Sequence, residues 1–204
     1  MIAETPRVTR GHGLLESFLA KKRREKAIAL IGPQTRLNSL LDIGCGAYPA
    51  FLAGVPATDR VGIDQTINDA TLRQFVGLGI QLIQQDVTSD PVLRLESERF
   101  DAVTMLAVVE HIPLKIATQV ISEVYRTLKP GGVFILTTPA AWTDPILRTL
   151  ACLRLVSAEE IDEHQSLFTR KSLFSLLAKD AFQSNNVRVG TFELGMNLWA
   201  RAIK

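Results

Sequence analysis

The sequence predicts an α/β fold built on a mixed sheet. Three observations carry this expectation. Short apolar runs alternate with helix-period stretches from residue 38 onward, the first run ends in a glycine turn, and two strand-like runs close the chain around one tight connection. Alternation yields parallel strands joined by crossovers, and a tight connection yields an antiparallel pair.

The parallel strands are expected at Ser39–Ile43, Arg60–Ile63, Ile80–Ile83, Phe100–Leu106 and Gly132–Thr137, each short and rich in β-branched or aliphatic residues. Between the last two, Ala117, Val120, Ile121, Val124 and Leu128 form one apolar stripe at helical spacing. Pro113 suits the first turn of that helix, and Lys129-Pro130-Gly131-Gly132 suits its end. Residues 138–168 break the pattern with prolines and tryptophan and read as an insertion. A helix near Lys171–Lys179 follows, with Leu173, Leu176 and Leu177 on one face, and then the runs Asn186–Leu194 and Met196–Ile203 joined around Gly195.

Composition bounds the function classes. The chain has 204 residues, 47% hydrophobic and 22% charged, which suits one globular domain with a full core. A net charge of +2, from 23 basic and 21 acidic residues, gives no electrostatic reason to expect nucleic acid. The one dense charge run, Lys21 to Lys26, reads as a solvated helix face. Cys45 and Cys152 have neither metal-ligand spacing nor a disulfide framework, so no metal is expected and a reducing cytoplasm suits them. With no signal-like start and no apolar run long enough to span a bilayer, the expectation is a soluble cytoplasmic protein.

Leu40-Leu41-Asp42-Ile43-Gly44-Cys45-Gly46 is a buried strand entering a glycine turn, the place where open α/β sheets bind ligands. Side chains at the glycine positions would hold the backbone away from a cofactor, although a tight strand-to-helix turn also needs glycine with no ligand at all. A dinucleotide fingerprint would require glycine or alanine where Pro49 stands. Asp42 sits badly beside a pyrophosphate and suitably beside an ammonium or sulfonium cation. The second strand ends in Asp64, placed to accept hydrogen bonds from ribose hydroxyls, and a strand-end carboxylate there should add little to packing. The third leads into Gln85-Asp86-Val87, with Asp86 able to accept from an adenine amino group or to stand as a solvated loop residue.

Together these residues resemble the class I S-adenosylmethionine-dependent methyltransferases, particularly the small-molecule enzymes with Asp-x-Gly-x-Gly and a later Leu-Lys-Pro-Gly-Gly. The resemblance covers residues 38–139: Leu41 to Gly46 is similar to the first motif, Val61-Gly62-Ile63-Asp64 to the ribose strand, Phe100 to Val103 through Val109-Glu110-His111 to the fourth-strand motif, and Leu128 to Gly132 to the start of the fifth strand. It implies a doubly wound seven-stranded mixed sheet of order 3-2-1-4-5-7-6, strand 7 antiparallel, with helices on both faces. It implies S-adenosylmethionine as cofactor and S-adenosylhomocysteine as product. Asp42 borders the site, Gly44 and Gly46 line the methionine part, Asp64 holds the ribose, Asp86 and Val87 frame the adenine, and Leu106 offers backbone contacts. Tyr48 stands where many members have a third glycine.

The same resemblance divides the chain into an N-terminal helical cap over 1–37, a cofactor-binding core over 38–137, an acceptor-pocket insertion over 138–168 and a C-terminal helix and hairpin over 169–204. Leu14, Leu15, Phe18, Leu19, Ile28 and Ile31 are the cap's apolar positions. An alcohol or amine acceptor must lose a proton, and His111, His164 and Glu110 are candidate bases. His164, the histidine in the insertion, is the catalytic candidate, whereas a local structural role suits His111 better. Ile146, Leu147, Leu150, Leu153 and Val156 could form an apolar lid suited to a small apolar acceptor, or simply core. The alternatives are a NAD-dependent oxidoreductase and a non-catalytic binder of S-adenosyl ligands.

Overall fold

The computed structural model describes residues 16–32, 37–143, 145, 166–179 and 181–204. Its elements in chain order are α1 (Glu16–Ile31), β1 (Ser39–Ile43), α2 (Ala50–Gly54), β2 (Asp59–Asp64), α3 (Asp69–Val76), β3 (Ile80–Gln84), β4 (Phe100–Leu106), α4 (Leu114–Thr127), β5 (Leu128–Pro139), α5 (Arg170–Ala178), β6 (Val187–Phe192) and β7 (Asn197–Ile203). The seven strands form one sheet in the order β3-β2-β1-β4-β5-β7-β6. β7 runs antiparallel to both β5 and β6, and every other pair is parallel.

Period-two alternation sorts the central strands onto two faces. Leu41, Ile43, Val103, Met105, Phe134 and Leu136 pack with α4 and α5, burying the stripe Ala117, Val120, Ile121 and Val124 together with Leu173, Leu176 and Leu177. Leu40, Ala102, Val133 and Ile135 point the other way, against Ala27 and Ile31 of α1, Phe51 and Leu52 of α2, and Phe75 of α3. Helices therefore cover both faces. Because both faces are covered, β1 is buried at every position, which is why its sequence reads as a continuous apolar run interrupted by Asp42.

Several boundaries differ from expectation. Leu128 belongs to the apolar stripe but not to the helix. Its backbone is already extended, at φ −70° and ψ 139°, and β5 starts there, because Leu128 pairs with Phe100 across an irregularity in the β4–β5 register. Gly131, at φ +76°, then supplies the left-handed turn within the strand. Between β3 and β4, residues 85–99 form turns and irregular chain with no helix. Asp86 instead folds the chain on itself, accepting from the Thr88 N–H and hydroxyl at 2.9 and 2.6 Å.

The cap differs more. Phe18 and Ile28 are 54% and 53% exposed, while Ala27 and Ile31 are the buried positions of α1. The helix is held to the sheet by polar ends of long side chains: the Arg201 Nε–H donates to the Leu30 carbonyl at 2.9 Å, and the Lys26 ammonium lies 5.0 Å from the Trp199 ring centroid. Of the remaining expected cap positions, Leu19 is partly buried, and Leu14 and Leu15 lie outside the described residues.

Candidate active site

β1, β2, β3 and β4 all end on one edge of the sheet, so the residues following each strand converge there. After β1 the chain turns through Gly44 at φ +78° and Gly46 at φ +74°, both in the left-handed region that favours glycine. The reason at Gly44 is more local than close approach of a cofactor. A Cβ there would collide with the Val108 Cγ2, so the glycine makes room for the segment after β4. Tyr48, where the first-motif pattern departs, packs edge-on against Phe75 of α3 at 5.1 Å between centroids, on the core side of the loop.

Asp64 fastens this loop. Its carboxylate, only 4% exposed, accepts from the Gly46 N–H at 2.8 Å and from the Thr66 N–H and hydroxyl at 2.8 and 2.6 Å. The expectation that Asp64 adds little to the folded chain is therefore corrected: it joins the ends of two adjacent strands before any ligand arrives.

A concave cleft opens over this edge. Gly44, Gly46, Asp64, Asp86, Val87 and Leu106 all line it, so six of the expected cofactor residues come together. Asp42 lines an adjoining hollow that shares Gly44, Leu106, Ala20 and Arg23 with the main cleft. Its carboxyl is buried and accepts from the Thr104 hydroxyl at 2.6 Å. Burial raises it to a pKa of about 7, the Thr104 bond opposes that rise, and the nearby Asp64 charge adds to it. Asp86 is held below the usual carboxylate range, first by the Thr88 hydroxyl.

The resemblance implied a helical cap before residue 38, but sequence reasoning missed which of its residues line the cleft. Ala20 and Arg23 of α1 line it, and Arg24 lines the adjoining hollow. The Lys21–Lys26 run is thus not wholly a solvated face; Arg23 and Arg24 carry cations to the ligand edge, and nothing in the linear pattern distinguishes them from their neighbours. Ala107 was missed too. It sits in the cleft at φ +58°, an uncommon conformation for alanine that marks a backbone held by its surroundings.

His111 also lines the cleft, beside Val108 and Ile112, a position that a purely local structural role does not require. Glu110 is 2% exposed. The described ends of the insertion meet at this edge: the Ala141 N–H donates to the Phe168 carbonyl at 2.8 Å and the Ser166 N–H to the Glu110 carbonyl at 3.0 Å. His164, Cys152 and the apolar stripe Ile146 to Val156 lie outside the described residues. Among the described residues no group of three or more His, Cys, Asp or Glu side chains gathers to hold a metal, and no helix is long and apolar enough to cross a membrane.

The cleft fits an S-adenosyl ligand chemically. Its lining combines the carboxylates of Asp64 and Asp86, the apolar side chains of Ile63, Val87, Leu106 and Ile112, and the cation of Arg23, the mixture of groups that hydroxyls, a purine and an amino-acid carboxylate call for. Sheet order, glycine turn and cleft together define a class I S-adenosylmethionine-dependent methyltransferase.

Comparison with known proteins narrows the class. A family model described as a methyltransferase domain matches residues 14–183, and the chain belongs to that family. It is 33% identical over 101 residues to a ubiquinone biosynthesis O-methyltransferase of Pseudomonas putida, a match covering 47% of this chain and 41% of that protein. The chain thus matches less than half the length of this curated relative. Among solved structures, it resembles an S-adenosylmethionine-dependent methyltransferase from Archaeoglobus fulgidus, with TM-score 0.65, 16% identity, and coverage of 92% of this chain and 94% of that one. A second, from Mesorhizobium loti, gives TM-score 0.65, 17% identity and coverage of 91% and 100%. These two likenesses concern the fold.

Proposed function

We propose that this chain transfers the methyl group of S-adenosylmethionine to an oxygen nucleophile on a small, largely apolar acceptor. The observation that carries the reading is the convergence of Gly44, Gly46, Asp64, Asp86, Val87 and Leu106 on one cleft beneath α1. The choice of oxygen is supported by the partial likeness to the ubiquinone biosynthesis O-methyltransferases. The cofactor supplies a methyl group already activated on a sulfonium, open to in-line displacement, so no covalent enzyme nucleophile is needed.

The chain's own residues then have four tasks. Asp64 accepts from the ribose hydroxyls while keeping its hold on the Gly46 amide; Asp86 and Val87 frame the adenine; Arg23 pairs with the carboxylate; and ionised Asp42 favours a cation over a neutral ligand. A histidine takes the acceptor's proton. His164 is the candidate from the insertion. His111 is a second candidate, favoured by its place in the cleft. Activity would be confined to the cytoplasm.

The test is calorimetric titration with S-adenosylmethionine, S-adenosylhomocysteine and NAD, followed by a labelled-methyl screen over phenols, other alcohols and amines. Binding of both S-adenosyl ligands and labelling of a hydroxyl acceptor are expected. Binding of NAD alone would establish the oxidoreductase reading, and binding without any turnover across the screen the non-catalytic one. With an acceptor in hand, His164→Ala should lower turnover and flatten its pH profile at unchanged cofactor affinity. If His111→Ala does so instead, the proton belongs to His111.

A further inference from the structure

The β6–β7 turn presents an apolar residue where none is needed for folding. Leu194 is 98% exposed and sits at φ +57°, between Glu193 at φ +52° and Gly195 at φ +84°. A turn with successive left-handed residues normally selects glycine, asparagine or aspartate. Leucine at such a tip has a conformational cost that, at 98% exposure, little packing among the described residues offsets.

Leu194 has company. The Trp142 indole N–H donates to the Gly195 carbonyl at 3.2 Å, yet the tryptophan remains 56% exposed beside the turn. On the other side, Glu193 lies within the field of Lys22 and Arg23 of α1. The Lys22 ammonium is 5.7 Å from the ring of Phe18, itself 54% exposed. Three large apolar side chains thus stand out from one continuous rim with cations around them. Among the described residues, Lys21 and Lys22 at the start of α1 share Glu25, Lys22 and Arg23 lie near Glu193, and Arg170 lines a hollow with Trp142 and Leu194. The rim is the edge on which the cleft opens, because Arg23 belongs to both.

We propose that this rim, formed by the start of α1, the β6–β7 turn and Trp142, docks on an anionic phospholipid bilayer, with Phe18, Leu194 and Trp142 entering the headgroup region and the α1 lysines pairing with lipid phosphates. Separate apolar prongs set in a basic surround suit an interface that is apolar at depth and anionic at its surface. Tryptophan, with an apolar body and one polar edge, suits such a boundary. A protein partner would more naturally meet a flat, charge-depleted patch. Docked this way, the cleft mouth faces the bilayer. The proposal does not depend on the acceptor's identity, and its failure leaves the methyl-transfer reading intact.

The test uses the full chain in sedimentation with two kinds of vesicle, phosphatidylcholine alone and phosphatidylcholine mixed with phosphatidylglycerol. Binding to the mixed vesicles is expected, weakening as salt is added, with little binding to the zwitterionic ones. Leu194→Glu should lower the partition coefficient at least about tenfold, and Lys21→Gln/Lys22→Gln on the order of 30-fold. Both variants should keep the thermal midpoint and S-adenosylhomocysteine affinity of the parent, since neither position is packed or lines the cleft. No binding to either vesicle, or binding indifferent to both variants, would overturn the proposal. So would a concentration-dependent dimer in sedimentation velocity that Leu194→Glu disperses, which would assign the rim to a second copy of the chain.

Discussion

Two carboxylates at the ends of adjacent strands have opposite relations to folding. Asp42 is buried with one neutral hydrogen-bond donor, Thr104, while Asp64 and the cations Arg23 and Arg24 border the same region. Its folded pKa of about 7 lies above its unfolded value of 3.8, so the folded state binds the extra proton between them. Stability must therefore fall as pH rises through that window and level off above about 7. Asp42→Asn keeps the shape without the charge. It should remove this pH dependence and stabilise the apo protein at pH 8 by on the order of 2–4 kcal/mol; chemical denaturation at several pH values is the measurement. The same variant should lose preference for the cationic S-adenosylmethionine over the neutral product. Asp64 works in the other direction. Asp64→Ala strands the Gly46 and Thr66 donors, so the apo protein should lose about 1–3 kcal/mol and affinity for S-adenosylhomocysteine should weaken roughly 30- to 150-fold. Asp64→Asn should lie between. Affinities within about twofold of the parent would confine Asp64 to the loop.

At the scale of elements, the glycine loop shows how sequence legibility divides. Its existence was readable from a buried strand running into Gly-x-Gly, but the reason for Gly44 was not, since the atom that excludes a Cβ is on Val108, 64 residues away. Gly44→Ala combines a left-handed backbone with that collision and should destabilise by about 2 kcal/mol or more, visible as a lowered midpoint before any ligand is added. α1 was legible as a helical cap, but its packing and cleft-lining positions were not. Its contacts come from side-chain tips meeting β7, the Arg201 bond to Leu30 and the Lys26 ring contact, so its buried positions follow no clean apolar stripe. Arg23→Ala should weaken binding of both S-adenosyl ligands about tenfold, the loss of a charge-assisted bond partly replaced by water, with the apo midpoint nearly unchanged. An affinity equal to the parent's would leave Arg23 as a surface cation only.

For the whole molecule, the sheet was the most legible feature because parallel strands covered on both faces must be apolar at almost every position, and because a tight β6–β7 connection forces an antiparallel neighbour. What linear pattern could not supply was the meeting of distant edges: Ser166 with Glu110, Arg23 with the strand ends, Leu194 with Trp142. These depend on which strands become neighbours, and β7 inserts between β5 and β6 despite being last in sequence. A ligand bridging those edges acts on the whole fold. A site joining α1, β1, β2, β3 and β4 exists only in the native state, so any ligand that fills it stabilises by mass action. At one hundred times its dissociation constant the gain is about 2.7 kcal/mol. For a chain of this size that corresponds to a rise of about 5–10 °C in thermal midpoint. S-adenosylhomocysteine should produce this rise and NAD should not, because Pro49 occupies the position where a dinucleotide loop needs a small residue. In Asp64→Ala the same ligand concentration is only about 0.7 to 3 times the weakened dissociation constant, and the shift should shrink to about 1–3 °C. A full-sized shift in that variant would mean that the ligand stabilises the fold from somewhere other than this cleft.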